Sequence, residues 1–149
     1  MARHNTLGQI GEDLAAEYLI KNGYIVRERN WHINKLEIDI VAEKGNRIII
    51  VEVKTRALNT IVNPLDAVTP AKIRHMVSAA NAYIRYNSLP HEVQFDIITV
   101  VGDNRENAQI THISDAFRAP LRTYRWKSIN LYSDGVQPAT SQNLALKCA

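Results

Sequence analysis

The chain is predicted to form a mixed α/β domain, on three observations. Apolar residues recur at three- and four-residue steps in two stretches, β-branched residues gather in short runs, and turn residues separate the runs. The elements follow the order α-β-β-β-α-β-β. At 149 residues, with 46% hydrophobic and 22% charged residues, the chain has the size and make-up of one soluble globular domain.

Residues 7–22 carry Leu7, Ile10, Leu14 and Tyr18 on one helical stripe, and Gly23 supplies the stop. Residues 24–29 read as a first strand, and 30–35 as a loop holding Trp31 and His32. Strands over 37–43 and 47–54 follow, joined by a turn at Lys44-Gly45-Asn46. Residues 55–68, with Pro64 among them, look irregular. Thr69-Pro70 is a helix start, an N-cap followed by proline at the first helical position. Ile73, Met76, Val77, Ala80 and Ile84 then form an apolar stripe on a helix reaching about Asn87. Residues 93–101 are a β-branched strand, and 109–114 a last short strand after the polar turn Gly102-Asp103-Asn104-Arg105. Past Pro120 the apolar periodicity fades. The sequence therefore divides into a folded domain over 1–119 and a tail over 120–149, expected to be partly disordered.

The bulk numbers narrow the function classes. A net charge of +3 is too mild to point to nucleic acid by itself. The single cysteine, Cys148, allows neither an internal disulfide nor a cysteine-based zinc site. The first six residues lack the apolar core of a signal peptide. The longest aliphatic run, 48–51, is far short of the roughly 20 residues that cross a bilayer. A cytoplasmic protein without membrane contact is expected. The five histidines are scattered without metal-ligand spacing and read as surface or packing residues.

The chemistry shows where an apolar strand ends in charge. Ile48-Ile49-Ile50-Val51 should be buried, yet the run continues Glu52-Val53-Lys54. Buried charges need partners or an opening to solvent. Alternation puts Glu52 and Lys54 on one face, and in the preceding strand sets Glu37 and Asp39 opposite Ile38 and Ile40. A hairpin pairing Glu43 with Ile48 sets Asp39 opposite Glu52 and Glu37 opposite Lys54. Facing carboxylates repel unless a proton or a cation lies between them. Hard oxygen ligands of this kind suit Mg²⁺ or Mn²⁺. A lysine two residues on could orient a water or stabilise charge growing on phosphorus, so phosphodiester hydrolysis fits the set.

Other groups join with less force. Glu12 lies beside Gly8 and Gly11 on the first helix, where glycines would let a backbone or a phosphate come close. Thr55, Arg56 and Lys72 are placed to line the approach as nucleic-acid contacts. Around the start of the tail, Arg118, Arg122, Arg125 and Lys127 interleave with Tyr124 and Trp126. That segment suits phosphate tracking and base stacking, or equally docking on its own domain or on a partner chain. The competing reading of Asp39, Glu52 and Lys54 is a structural salt-bridge network, and that of Glu12 an ordinary surface acid.

Gly8-Gln9-Ile10-Gly11-Glu12, Glu37-Ile38-Asp39 and Val51-Glu52-Val53-Lys54-Thr55-Arg56 together resemble the YraN-type family of uncharacterised bacterial proteins. That family lies within the PD-(D/E)XK nuclease superfamily and is similar to archaeal Holliday junction resolvases. The resemblance runs over about residues 4–118. It implies a restriction-endonuclease-like mixed sheet flanked by helices, with residues 1–119 as the nuclease-like domain. It also implies a metal held by Asp39, Glu52 and the Val53 carbonyl, catalysis through Lys54, and Glu12 as the helix acid. Glu37 would be a support. Leu36 and Asn63 depart from the pattern, each standing where a glycine is usual. The function expected is metal-dependent endonuclease action on nucleic acid, with structured or branched DNA and a homodimer as further implications of the resemblance. The rival is a catalytically silent module on the same fold that binds nucleic acid or protein.

Overall fold

The computed structural model describes residues 6–61, 63, 66, 68–89 and 92–119. Among them two helices and five strands follow the expected order: α1 (Leu7–Lys21), β1 (Ile25–Ile33), β2 (Leu36–Lys44), β3 (Arg47–Arg56), α2 (Pro70–Asn87), β4 (Glu92–Val101) and β5 (Gln109–Phe117). The tail, with Arg122 and Arg125, lies outside the described residues. No described helix is long and apolar enough to cross a membrane.

The strands form one sheet in chain order, antiparallel except for the parallel pair β3–β4. A parallel pair needs a crossover, and α2 supplies it. The sheet is buried on both faces. Ile48 and Ile50 of β3 pack with Met76, Val77, Ala80 and Tyr83 of α2. The alternate residues Ile49 and Val51 pack with Ala15, Ala16 and Leu19 of α1. Two-sided burial accounts for the continuous apolar run in β3.

Both helices begin at threonine caps. The Thr69 hydroxyl accepts from the Lys72 amide at 3.2 Å, and Pro70 opens α2. Thr6 does the same for the Gln9 amide at 3.3 Å. The expected α2 stripe is the buried one. The α1 stripe is not: its buried face is Gly11, Ala15, Ala16 and Leu19, with the larger residues on the flanks. Small residues face the sheet because α1 lies very close to it. A Cβ built on Gly11 would stand 2.0 Å from Thr55 Oγ1, whereas one on Gly8 meets nothing within 4 Å. Gly11 therefore admits a β3 side chain, rather than the backbone or phosphate expected.

Three boundaries move. The stretch 30–35 is not a loop: β1 runs to Ile33, carries Trp31 and His32, and meets β2 through the Ile33–Leu36 pair. Asn30 and Asn34 both take left-handed backbone, with φ of 50° and 51°. Asparagine tolerates this conformation, and that tolerance made an edge strand read as a loop. Trp31 packs edge-on to Tyr83, 5.2 Å between centroids. Thr55 and Arg56 extend β3, and β5 reaches Phe117.

Asp96 of β4 is fully buried where the β4–β5 register shifts. Its oxygens meet His112 Nε2 at 2.7 Å, Gln94 Nε2 at 2.9 Å and the Asp115 amide at 3.0 Å. Tyr18 and Tyr24 close over the His112 ring. A buried carboxylate survives only when paired in this way.

Two outcomes follow for stability. Gly11→Ala should cost about 1–3 kcal/mol by overpacking, despite the better helix residue. Adding Thr55→Ala should recover most of that loss, seen as a favourable coupling in a urea double-mutant cycle. His112→Ala should destabilise by about 3 kcal/mol, since it leaves the Asp96 carboxylate short of its main partner.

Candidate active site

Strands β2 and β3 pair from Lys44–Arg47 to Ile40–Val51, with Glu43 facing Ile48 as the sequence predicts. This register sets Asp39 and Glu52 one step beyond the last pair, and there the strands part. The β2 chain goes on with β1 as far as Leu36–Ile33, while β3 goes on with β4 through Arg56–Val101. The sheet is forked, and the two carboxylates stand in the crotch.

The simple alternation expected of β2 fails at Asp39. Ile38 joins the core under α2, but Ile40 joins the core under α1. The cause lies across the hairpin. Asn30 falls between the pairs Arg29–Ile40 and Trp31–Ile38, hence opposite Asp39, and its left-handed backbone shifts the phase of the pleat. Asp39 thereby turns toward β3. Its Oδ2 accepts from the Val53 amide at 2.8 Å, so a side chain continues the hydrogen bonding that the parted strand gave up.

The fork brings both helical layers to one place. Glu52 continues the Ile48–Ile50 face toward α2, where Lys72 Nζ meets its Oε1 at 2.5 Å. From the other layer, Glu12 of α1 is hydrogen-bonded to Asn30 and feels the charge of Asp39. Arg29 and Asp13 tie α1 to β1 beside it at 2.6 Å. Burial is the main force on all three acids. It raises Glu12, with Asp39 adding to the rise and the Asn30 hydrogen bond opposing it. Burial also raises Asp39, against the Val53 amide and the Lys72 charge. Glu52 is pushed to about 7 by burial and then by Asp39, with Lys72 pulling the other way. Asp39 and Glu52 thus form a buried pair of acids whose burden Lys72 offsets only in part.

The remaining candidate residues scatter around this core. Lys54 is half-buried two residues beyond Glu52 on β3. Glu37 pairs along the hairpin with His32 rather than facing Lys54, and its carboxylate lies 3.4 Å from His32 Nε2. The β2–β3 ladder ends before reaching it. Thr55 turns toward Gly11, and Arg56 is exposed, donating to the Thr55 carbonyl at 2.8 Å. Lys72, read from sequence as an approach residue, contacts Glu52 and acts on Asp39 through its charge. Asn30 was missed entirely; its only signal was an asparagine beside an aromatic strand residue.

The donor chemistry fits a small divalent cation. Mg²⁺ is commonly held by one or two carboxylates, with waters and substrate oxygens completing its shell. Asp39 and Glu52 offer such a pair, at a cost of burial that a cation would offset. Among the described residues no three acid, histidine or cysteine side chains are grouped as a ready-made metal cage.

A model described as "Uncharacterised protein family UPF0102" matches residues 11–100, a span that includes Glu12, Asp39, Glu52, Lys54 and Lys72. The chain is similar to the UPF0102 protein BF0634 of Bacteroides fragilis, 50% identical over 121 residues that cover 81% of this chain and 99% of the relative. The UPF0102 protein FP2501 of Flavobacterium psychrophilum is 50% identical over 117 residues, 78% of this chain and 98% of the relative. A UPF0102 protein of Christiangramia forsetii is 45% identical over 117 residues, with the same coverage of both chains. With the family model matched over most of the described fold, and relatives similar along nearly their whole length, the chain belongs to the UPF0102 family, the YraN-type group that its motifs resemble.

Proposed function

We propose that this protein is a divalent-metal-dependent nuclease of the PD-(D/E)XK kind, hydrolysing phosphodiester bonds in nucleic acid, with DNA as substrate. The observation that carries the reading is the pairing of Asp39 and Glu52 at the fork, two acids held together at a cost that a cation would remove. Asp39 and Glu52, with the Val53 carbonyl, would hold Mg²⁺ or Mn²⁺. The bound ion would supply Lewis acidity toward a phosphoryl oxygen and a water nucleophilic at neutral pH.

The protein's own groups do the rest. The Val53 amide fixes the Asp39 carboxylate, so one ligand is set before substrate arrives. Lys54, two residues beyond Glu52, would orient the attacking water or meet charge on the phosphoryl group. Glu12, protonated more readily than a surface acid, can hold a proton near Asp39. Arg56 and Lys72 offer charge to the phosphates on either side. A preference for branched DNA and a homodimeric form are the finer parts of the proposal, implied by the resemblance of its motifs to archaeal resolvases.

One observation favours the rival. Lys72 already neutralises Glu52, as it would in a silent binding module of the same fold. Cleavage of labelled linear, flapped and four-way DNA in Mg²⁺ or Mn²⁺ separates the two. The nuclease reading expects metal-dependent cutting that falls roughly 10²–10³-fold in Glu52→Ala, the scale for losing one charge-stabilising group. Binding without cutting, unchanged in Glu52→Ala and lost when Arg56 is neutralised, would establish the module instead.

A second outcome concerns pH. Glu52 binds its proton more tightly in the folded chain, at about 7 against 4.5 for the free acid. Between those values the native state holds more protons than the unfolded one, so stability falls as pH rises. The loss is on the order of 3 kcal/mol, complete only above the folded value. Asp39, raised likewise, adds in the same direction, with Lys72 opposing. Urea unfolding in chelator from pH 5 to 8 should show this decline, and Glu52→Gln should flatten it.

A further inference from the structure

Lys72 is an unusual choice for where it stands. It is the third residue of α2, and the first turn of that helix carries no acid. The helix dipole presents partial positive charge at that end, so an ammonium there is disfavoured. Helix stability therefore does not account for the lysine. Its partner across the fork does: Nζ reaches Glu52 Oε1 at 2.5 Å, and its charge acts on Asp39 as well. The side chain keeps 29% of its surface in solvent, and Glu52 only 13%. One end of the pair is free to leave and the other is not. Lysine is a compact charge on a flexible stem, suited to moving out of a site without disturbing the backbone.

We propose that Lys72 is a resident counter-cation, holding the Asp39–Glu52 pair together until a divalent ion displaces it. The inference rests on the metal-binding reading of those two acids. Ammonium and metal compete for the same Glu52 oxygen, so they exclude one another. The displaced ammonium swings to the solvent side, where a substrate phosphate would approach. Lys72 thereby acts as a positioning residue first and a phosphate contact second. The competition weakens metal binding and makes it depend on substrate: a phosphate that captures the freed ammonium helps the ion to stay.

Two measurements on the full-length protein test this without recourse to cleavage. Mild amine acetylation, read by peptide mass, should modify Lys72 slowly in chelator and several-fold faster with saturating Mn²⁺. The exposed Lys21 on α1 should be modified at one rate throughout. In calorimetry, Lys72→Met should bind Mn²⁺ about tenfold more tightly than wild type. Arg74→Gln, which removes an exposed charge from the same helix, should leave affinity within twofold. If wild type binds Mn²⁺ while Lys72 stays protected and Lys72→Met binds no tighter, displacement is wrong and the metal site stands. If neither protein binds Mn²⁺, the metal reading of Asp39 and Glu52 falls, and this inference with it. The labelling arm uses wild type alone, so it decides the matter even if the variant folds poorly.

Discussion

The parting of β2 and β3 at Asp39 governs everything else in the site. A continuous five-stranded sheet would wall off the α1 layer from the α2 layer, because side chains on opposite faces of a strand cannot meet. Where the ladder ends at Ile40–Val51, that wall ends too. Glu12 from one layer and Lys72 from the other then act on the same carboxylate, Asp39. The fork is sustained locally. Asn30 turns the pleat with its left-handed backbone, and the Asp39 side chain takes up the Val53 amide left without a strand partner.

Tight packing on one side makes the geometry dependable. Gly11 lets α1 settle against Thr55, which fixes the height of Glu12 above the sheet. On the other side, the Thr69 cap and Pro70 fix where α2 begins, and so where Lys72 emerges. The Asp96–His112 pair stands apart from this chemistry. It clamps β5 to β4 across a register shift, keeping the far edge of the sheet in place. Burial is used in two ways here. At Asp96 every oxygen is matched by a donor; at Asp39 and Glu52 burial raises both acids against the pull of Lys72 and the Val53 amide.

Much of this was legible in the residues. Apolar runs and caps gave the element order, and a short turn at Gly45 was enough to place Asp39 next to Glu52 by counting. The differences along β1 and β2 share one physical origin, the backbone of asparagine. Nothing in a pattern of side-chain polarity announces that Asn30 and Asn34 will adopt positive φ inside a strand and at its turn. So the polarity pattern shortens β1, carries strict alternation through Asp39 and sets Glu37 against Lys54. Lys72 was under-read for another reason. Its contact with Glu52 depends on how α2 crosses back over the sheet, and spacing along the chain does not encode that. On α1, attention to large residues hid the small ones that form its seat.

The same irregular backbone bears on how the molecule avoids its own copies. Among the described residues, strands β1 and β5 are the two rims of the sheet, and a rim with regular, free amides and carbonyls invites another chain to add on and begin a fibre. Each rim here is interrupted. β1 has a register shift between Val26 and Glu28 and a reversed φ at Asn30; β5 has its shift opposite Asp96 and a reversed φ at Asp115. An incoming strand would find only a few matched positions before losing register. The asparagine opposite Asp39 thus also breaks the regularity that an added strand would need.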